Sequence, residues 1–122
     1  MAQHDSSPAV LVVEDEAVIR IDVAMSIEDA GFKVYEAESA DRAISLLEDC
    51  PDIGVLFTDV NMPGAMDGLA LSHVARRRWR GLAIILTSGR RPIAAAELPE
   101  EAHFLGKPYR LADLIASLRK IR

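Results

Sequence analysis

Seven side chains of this sequence carry chemistry when read together. They are the acids Glu14, Asp15 and Glu16, the carboxylate of Asp59, the hydroxyls of Thr87 and Ser88, and the amine of Lys107. Each alone is ordinary. Acids suit the start of a helix, an Asp close to Pro and Gly is a frequent turn residue, and a lysine is usually solvated. Brought to one place they are not ordinary. Two carboxylates about 4 Å apart repel by roughly 4 kcal/mol at an effective dielectric near 20. Three cannot all stay ionised without a counter-charge. They can share a proton and titrate as a coupled set, or they can hold a hard divalent cation. Mg²⁺ takes oxygen ligands, usually a few carboxylates completed by water and phosphate oxygens. Lys107 does not balance three acids by itself, so the arithmetic favours Mg²⁺. A carboxylate beside such a cation and a lysine can attack phosphorus and form an acyl phosphate. Lysine then serves as a point charge on one phosphoryl oxygen, and the Thr87 hydroxyl donates to another. No general base is needed, because the nucleophile is already ionised.

The elements that must position these groups can be read from the apolar pattern. Ala9–Val13 is a Val-rich run bounded by Pro8 and by acids, as expected of a buried parallel strand. A helix follows over Glu16–Ala30, stopped by Gly31. Lys33–Glu36 reads as a second strand. Ser39 is a candidate N-cap for a helix to about Asp49, before Pro51. Ile53–Thr58 is a third strand and Asn61–Asp67 a loop holding Pro63 and Gly64. Leu69–Trp79 is a helix, Leu82–Leu86 a fourth strand, and His103–Leu105 a fifth. Arg110–Ile121 is a helix with Leu111, Leu114, Ile115, Leu118 and Ile121 on one face. Strand and helix alternate, which predicts an α/β protein whose parallel sheet is covered on both faces. In open sheets of this kind ligands sit beyond the carboxyl ends of the strands. The seven chemical residues all fall there.

At this point the sequence resembles the response regulator receiver domain of two-component systems, of the stand-alone, chemotaxis-receiver-like type. The segments that carry the resemblance are VVEDE at 12–16, FTDVNMPGAMDG at 57–68, ILTSG at 85–89 and FLGKPY at 104–109. It covers essentially everything after Pro8. The resemblance implies a flavodoxin-like, doubly wound sheet of five strands in order 2-1-3-4-5 with five flanking helices. It implies that Asp59 accepts a phosphoryl group from a histidine kinase or phosphotransfer protein. Glu14 and Asp15 match the acidic pair, Asp15 and Asp59 would bind Mg²⁺, and Asn61 would add its backbone carbonyl. Thr87 and Lys107 would contact the phosphoryl oxygens, and Phe104 matches the aromatic switch position beside Thr87. A cis bond at Lys107–Pro108 is implied as well. Two departures stand out. Position 14 is Glu where many members have Asp, which suggests binding through a water. The PGAMDG loop is one residue longer than the commonest form and resembles receivers associated with alphaproteobacterial kinases.

Two further segments bear on partners. Between the fourth and fifth strands, Pro92 and Pro99 limit a fourth helix to about Pro92–Leu98, roughly two turns. By the resemblance this is the signalling face, so either it orders on phosphorylation or it is a short loop. In the first helix, Ile19, Val23, Ile27 and Ala30 form a stripe suited to the sheet. Val18, Ile21 and Met25 form a second stripe nearly opposite. The family docks its kinase helices on this helix, so the second stripe is predicted to be the kinase contact. The competing reading is that the terminal helix covers it. Arg76, Arg77, Arg78 and Arg80 read as a solvated helix end, and Arg90 and Arg91 as aids to an acidic partner.

Composition closes off other classes. The 122 residues make one domain, with residues 1–8 expected to be disordered and 9–122 to form the receiver. Cys50 is the only cysteine, so no internal disulfide or cysteine metal site can form. No apolar run approaches membrane-spanning length, and a cytoplasmic protein is expected without membrane or nucleic-acid partners. The net charge of −5 is uneven: residues 1–67 carry fifteen acids and three bases, residues 68–122 four acids and eleven bases. With no residues left for an output domain after Arg122, a protein acting alone is expected, as relay, phosphate sink or allosteric ligand of a downstream protein. The rival reading is a Mg-dependent phosphohydrolase of the haloacid-dehalogenase type. Its nucleophile follows the first strand in an Asp-x-Asp motif, whereas Glu14–Asp15 stands there in this chain. No glycine-rich Gly-Lys-Ser/Thr loop is present.

Overall fold

The computed structural model describes residues 8–89 and 93–121. Strands β1 (Ala9–Val13), β2 (Val34–Ala37), β3 (Ile53–Asp59), β4 (Ala83–Ser88) and β5 (His103–Gly106) form one parallel sheet in order β2-β1-β3-β4-β5. Helices α1 (Ala17–Asp29), α2 (Ala40–Asp49), α3 (Gly68–Arg78) and α4 (Leu111–Ile121) cover it.

Alternating residues of each central strand feed two cores, as the two-residue repeat requires. Leu11, Val13, Leu56, Ile84 and Leu86 meet Ala43 and Leu47 of α2 and Leu71 and Ala75 of α3. Val10, Val12, Val55, Phe57 and Ile85 meet Ile27 of α1 and Leu114 and Leu118 of α4 on the other face. Burial on both faces is why these strands read as unbroken apolar runs. Ser39 caps α2 by accepting from the Arg42 N–H at 3.1 Å, and Asp67 caps α3 by accepting from the Ala70 N–H at 2.9 Å. Gly31, with φ +104°, ends α1 in the left-handed region open to glycine.

The structure departs from the sequence expectations at several places. Four α-helices flank the sheet among the described residues, not five. Between β4 and β5 lies a single 3-10 turn, Ala95–Glu97. It is closed by the Glu97 N–H donating to the Ala94 carbonyl at 2.9 Å, and the flanking residues Ile93 and Pro99 are both drawn into the interior. A helix nucleus that short does not propagate. β4 runs on through Thr87 and Ser88, and β5 through Gly106, so Thr87 sits in the sheet and not after it. Ile19, assigned to the sheet-facing stripe, is 38% exposed, whereas Ala24 and Ile27 are buried. Pro8, grouped with the N-terminus, lies directly over Gly54, where any side chain would collide with it. The rest of the expected disordered segment, residues 1–7, lies outside the described residues, as do Arg90, Arg91 and Pro92. The Lys107–Pro108 bond is cis. No helix among the described residues is long and apolar enough to cross a membrane.

Candidate phosphoacceptor site

The carboxyl ends of β1, β3, β4 and β5 open on a cleft of about 590 Å³ lined by Glu14, Asp15, Asp59, Asn61, Gly89 and Lys107 among others. Parallel pairing sets the alignment: Val13 pairs with Thr58, Asp59 with Thr87, and Ser88 with Gly106. Residues one or two steps beyond these pairs therefore share a rim.

One carboxylate oxygen each from Glu14, Asp15 and Asp59 lies within 4.8 Å of the others. Glu14 and Asp59 are buried, at 6% and 8% exposure, while Asp15 is exposed. The Lys107 Nζ stands 3.7 Å from Asp59 Oδ1 and 3.9 Å from Glu14 Oε1. Both distances are near the outer limit of an ion pair, so Lys107 answers the negative charge without neutralising it at close range. Glu14 Oε2 accepts from the Glu16 N–H at 3.0 Å. Burial, then the charge of Asp59 and a hydrogen bond with Asp15, push the Glu14 carboxyl up to about 7, against the opposing pull of the Glu16 N–H and Lys107. Burial is the chief cause of this shift, and the neighbouring carboxylates add to it. Asp59 Oδ1 and Thr87 Oγ1 are buried and have no hydrogen-bond partner among the described residues. Buried polar atoms are rarely left so, and both fit a cleft that takes a cation and an anionic group bearing oxygens.

The backbone around Asp59 is tightly held. The Thr58 hydroxyl donates to the Asp59 carbonyl at 3.0 Å. The Val60 N–H donates to the Thr87 carbonyl and the Gly68 N–H to the Val60 carbonyl, each at 2.9 Å. Gly68 permits this approach: a Cβ there would overlap the Asp59 carbonyl oxygen and stand 2.7 Å from its carbon. The Asn61 amide donates to Ser88 Oγ at 2.9 Å, tying the β3 loop to the end of β4. The Lys107 N–H donates to the Ser88 carbonyl at 3.0 Å.

The structure thus brings together Glu14, Asp15, Asp59, Asn61 and Lys107, with Thr87 beside Asp59 in the ladder. Glu16 lines the cleft, but its carboxylate is not in the cluster. Phe104 lies outside the cleft, half-buried against the core on the α2 and α3 side and in register with Leu86. Val18, Ile21 and Met25 lie outside it too, on the open face of α1. Val18 is 83% exposed, so α4 does not cover this stripe.

Sequence reasoning missed three residues. Gly68 reads as a loop glycine, although it follows an Asp-bearing strand by nine residues and opens a helix. Arg20 passes unnoticed, although it is the only Lys or Arg in the first 32 residues. Arg76 is no solvated charge: its guanidinium donates to the carbonyls of Leu82 at 2.6 Å, Glu100 at 2.9 Å and Arg80 at 3.0 Å. Of its neighbours, Arg78 pairs with Glu48 at 2.7 Å and lies over the Trp79 ring.

Comparison with known proteins agrees with this geometry. Residues 10–119 match the family described as the response regulator receiver domain. The chain is 30% identical over 115 residues to the response regulator receiver protein CpdR of Brucella abortus, covering 92% of this chain and 94% of CpdR. It is 32% identical over 119 residues to the sensor kinase CckA of the same organism, covering 94% of this chain but 12% of CckA. The chain spans about half or less of several other curated relatives. A receiver protein structure from Pseudomonas putida superposes with a TM-score of 0.85 at 30% identity, covering 96% of this chain and 99% of that one. The chain belongs to the response regulator receiver domain family. Members of that family are signalling phosphoacceptors of two-component systems, bind Mg²⁺ at an acidic pocket, and interact with histidine kinases and downstream targets. The phosphohydrolase reading finds no support.

Proposed function

We propose that Asp59 accepts a phosphoryl group from the phosphohistidine of a histidine kinase or phosphotransfer protein. The observation that carries this reading is the buried Oδ1 of Asp59, which has no hydrogen-bond partner among the described residues and stands 3.7 Å from Lys107 Nζ, in a cleft with two further carboxylates. Asp15, Asp59 and the Asn61 backbone carbonyl would hold Mg²⁺, with Glu14 acting through a water. The cation, when bound, neutralises charge on the phosphoryl oxygens. An ionised Asp59 oxygen forms a bond to phosphorus as the phosphorus–nitrogen bond breaks, and the electron pair leaves on the imidazole nitrogen. Lys107 holds one phosphoryl oxygen by charge. The Thr87 hydroxyl, which has no hydrogen-bond partner among the described residues, turns to donate to another, and Phe104 responds to that movement of Thr87.

The partner's helix bundle docks on Val18, Ile21 and Met25. An exposed apolar stripe that begins two residues beyond Glu16, on the rim of the cleft, supports this placement. The downstream contact is with a protein, through β5 and residues 93–102, and the reaction takes place in the cytoplasm.

Intact-mass spectrometry after incubation with a small phosphodonor and Mg²⁺ tests the site. The wild type should gain one phosphoryl group and Asp59→Asn none. Equal uptake by the variant, or none by the wild type, overturns the assignment.

A further inference from the structure

We propose that Arg20 is a positioning residue for the acidic pair and sets the affinity of the cleft for Mg²⁺, an inference that rests on the metal reading above. Arg20 lies in the first turns of α1 with its side chain 17% exposed. Its Nη1 donates to the carbonyl oxygen of Glu14 at 2.9 Å, and its Nε donates to Glu36 Oε1 at 3.1 Å. Glu36 belongs to β2, so the guanidinium is itself anchored to the sheet.

This arrangement holds the two peptide planes that flank the Glu14 Cα. The Glu14 N–H is held by the Ala37 carbonyl at 3.1 Å, and its carbonyl is held by Arg20. The peptide joining Glu14 to Asp15 is planar and trans, since Lys107–Pro108 is the only cis bond among the described residues. In such a plane the Asp15 N–H points opposite to the Glu14 carbonyl. Fixing that carbonyl therefore fixes the roll of the plane and the position of the Asp15 Cα, which leaves rotation about the Asp15 N–Cα bond as the remaining backbone freedom in aiming its side chain. Asp15 needs this help, because it is exposed and no core packing orients it. Glu14 gains the complementary restraint from the Glu16 N–H on its carboxylate.

An ion pair that merely joins α1 to β2 would move stability and leave the cation affinity alone. Titration of Mg²⁺ into the protein by calorimetry, with urea melts on the same samples, separates the two roles. Arg20→Met should weaken Mg²⁺ binding about tenfold, as loss of a partner that orients a ligand does. Arg20→Lys, which keeps one donor, should recover part of that loss, and Glu36→Gln should give an intermediate value. Asp52→Asn is the control. It breaks the Lys33–Asp52 ion pair, 3.0 Å long and also beside β2, and should leave Mg²⁺ affinity unchanged. Phosphoryl uptake by Arg20→Met should need more Mg²⁺ but reach the wild-type rate at saturation. If Arg20→Met does not fold, Arg20→Lys and Glu36→Gln carry the test. Affinity within twofold of wild type across these variants overturns the inference while leaving the metal reading intact. A wild type that binds no Mg²⁺ overturns both.

Discussion

Glu14→Gln should stabilise the metal-free protein at neutral pH, and the gain should vanish in acid. In the unfolded chain Glu14 releases its proton near its ordinary 4.5; in the native cleft it holds that proton to about 7. Between these values the native protein binds more protons than the unfolded one, so this group's contribution makes stability fall as pH rises through the window. The cost is absent below 4.5 and complete above 7. A carboxyl displaced this far costs at most about 3 kcal/mol once ionised. The cleft is open to water, and screening brings the figure to about 1–2 kcal/mol. The amide that replaces the carboxylate keeps an oxygen that can accept from the Glu16 N–H, so the turn survives the change. For a domain of this size about 1 kcal/mol moves Tm by roughly 4 °C. Thermal and urea melts in EDTA should therefore place Glu14→Gln about 4–8 °C above wild type at pH 7.5 and level with it at pH 4.5. The difference between the two proteins is the readout, because the other carboxylates titrate in both. Mg²⁺ should reverse the order, stabilising wild type by mass action more than the variant. A variant no more stable than wild type at pH 7.5, or equally favoured at both pH values, refutes the picture of a carboxyl held protonated by burial and by its acidic neighbours.

Gly68→Ala should cost about 3 kcal/mol in urea melts, because the clash is with the Asp59 backbone, which has no rotamer to escape to; an unchanged midpoint would show that the approach is not needed. Arg76→Met should cost about 2 kcal/mol, the loss of charge-assisted hydrogen bonds to three carbonyls. It should also speed amide exchange over residues 94–102, while Arg77→Met should stay within about 0.5 kcal/mol of wild type. Val18→Arg should slow phosphotransfer from a phosphorylated helix-bundle partner roughly tenfold, the equivalent of about 1.4 kcal/mol at an interface anchor. Uptake from a small phosphodonor should not change, and equal slowing of both would remove α1 as the docking face.

Much of the fold is legible in the sequence because parallel sheets write themselves plainly. Strands buried on both faces must be continuous apolar runs, and AVLVV, IGVLF and AIIL are that. The chemical residues stand out because they follow those runs. The less legible features have a common cause: they depend on backbone atoms of distant segments. Arg76 reads from composition as a surface charge, yet its worth lies in the Leu82 and Glu100 carbonyls, which no side-chain pattern announces. Arg20 is the same case with the Glu14 carbonyl. Gly68 is needed because the Asp59 carbonyl lies against it, a fact of three-dimensional approach. The prolines bound the segment between β4 and β5, but whether two turns or one would form turns on the burial of Ile93 and Pro99, a tertiary demand. Ile19 is misread because α1 has apolar residues on most of its circumference, so its period does not single out the inner face.

The uneven charge of the chain acquires a physical meaning once the strand order is known. The acid-rich residues 1–67 supply β2, β1 and β3, and the basic residues 68–122 supply β4 and β5. The division in sequence becomes a seam in space between β3 and β4, where Asp59 pairs with Thr87. Glu14, Asp15 and Asp59 stand on one side of that seam, and Thr87 and Lys107 on the other. A group that carries negative oxygens and needs a cation is suited by neither half alone. The acids repel it without a metal, and Lys107 by itself, 3.7 Å from Asp59, is already partly engaged. Where the halves meet, the carboxylate cluster and the Lys107 amine stand side by side. The order β2-β1-β3-β4-β5 is therefore more than a scaffold for the site: it is what joins an acid-rich half to a base-rich half at the width of one strand pair.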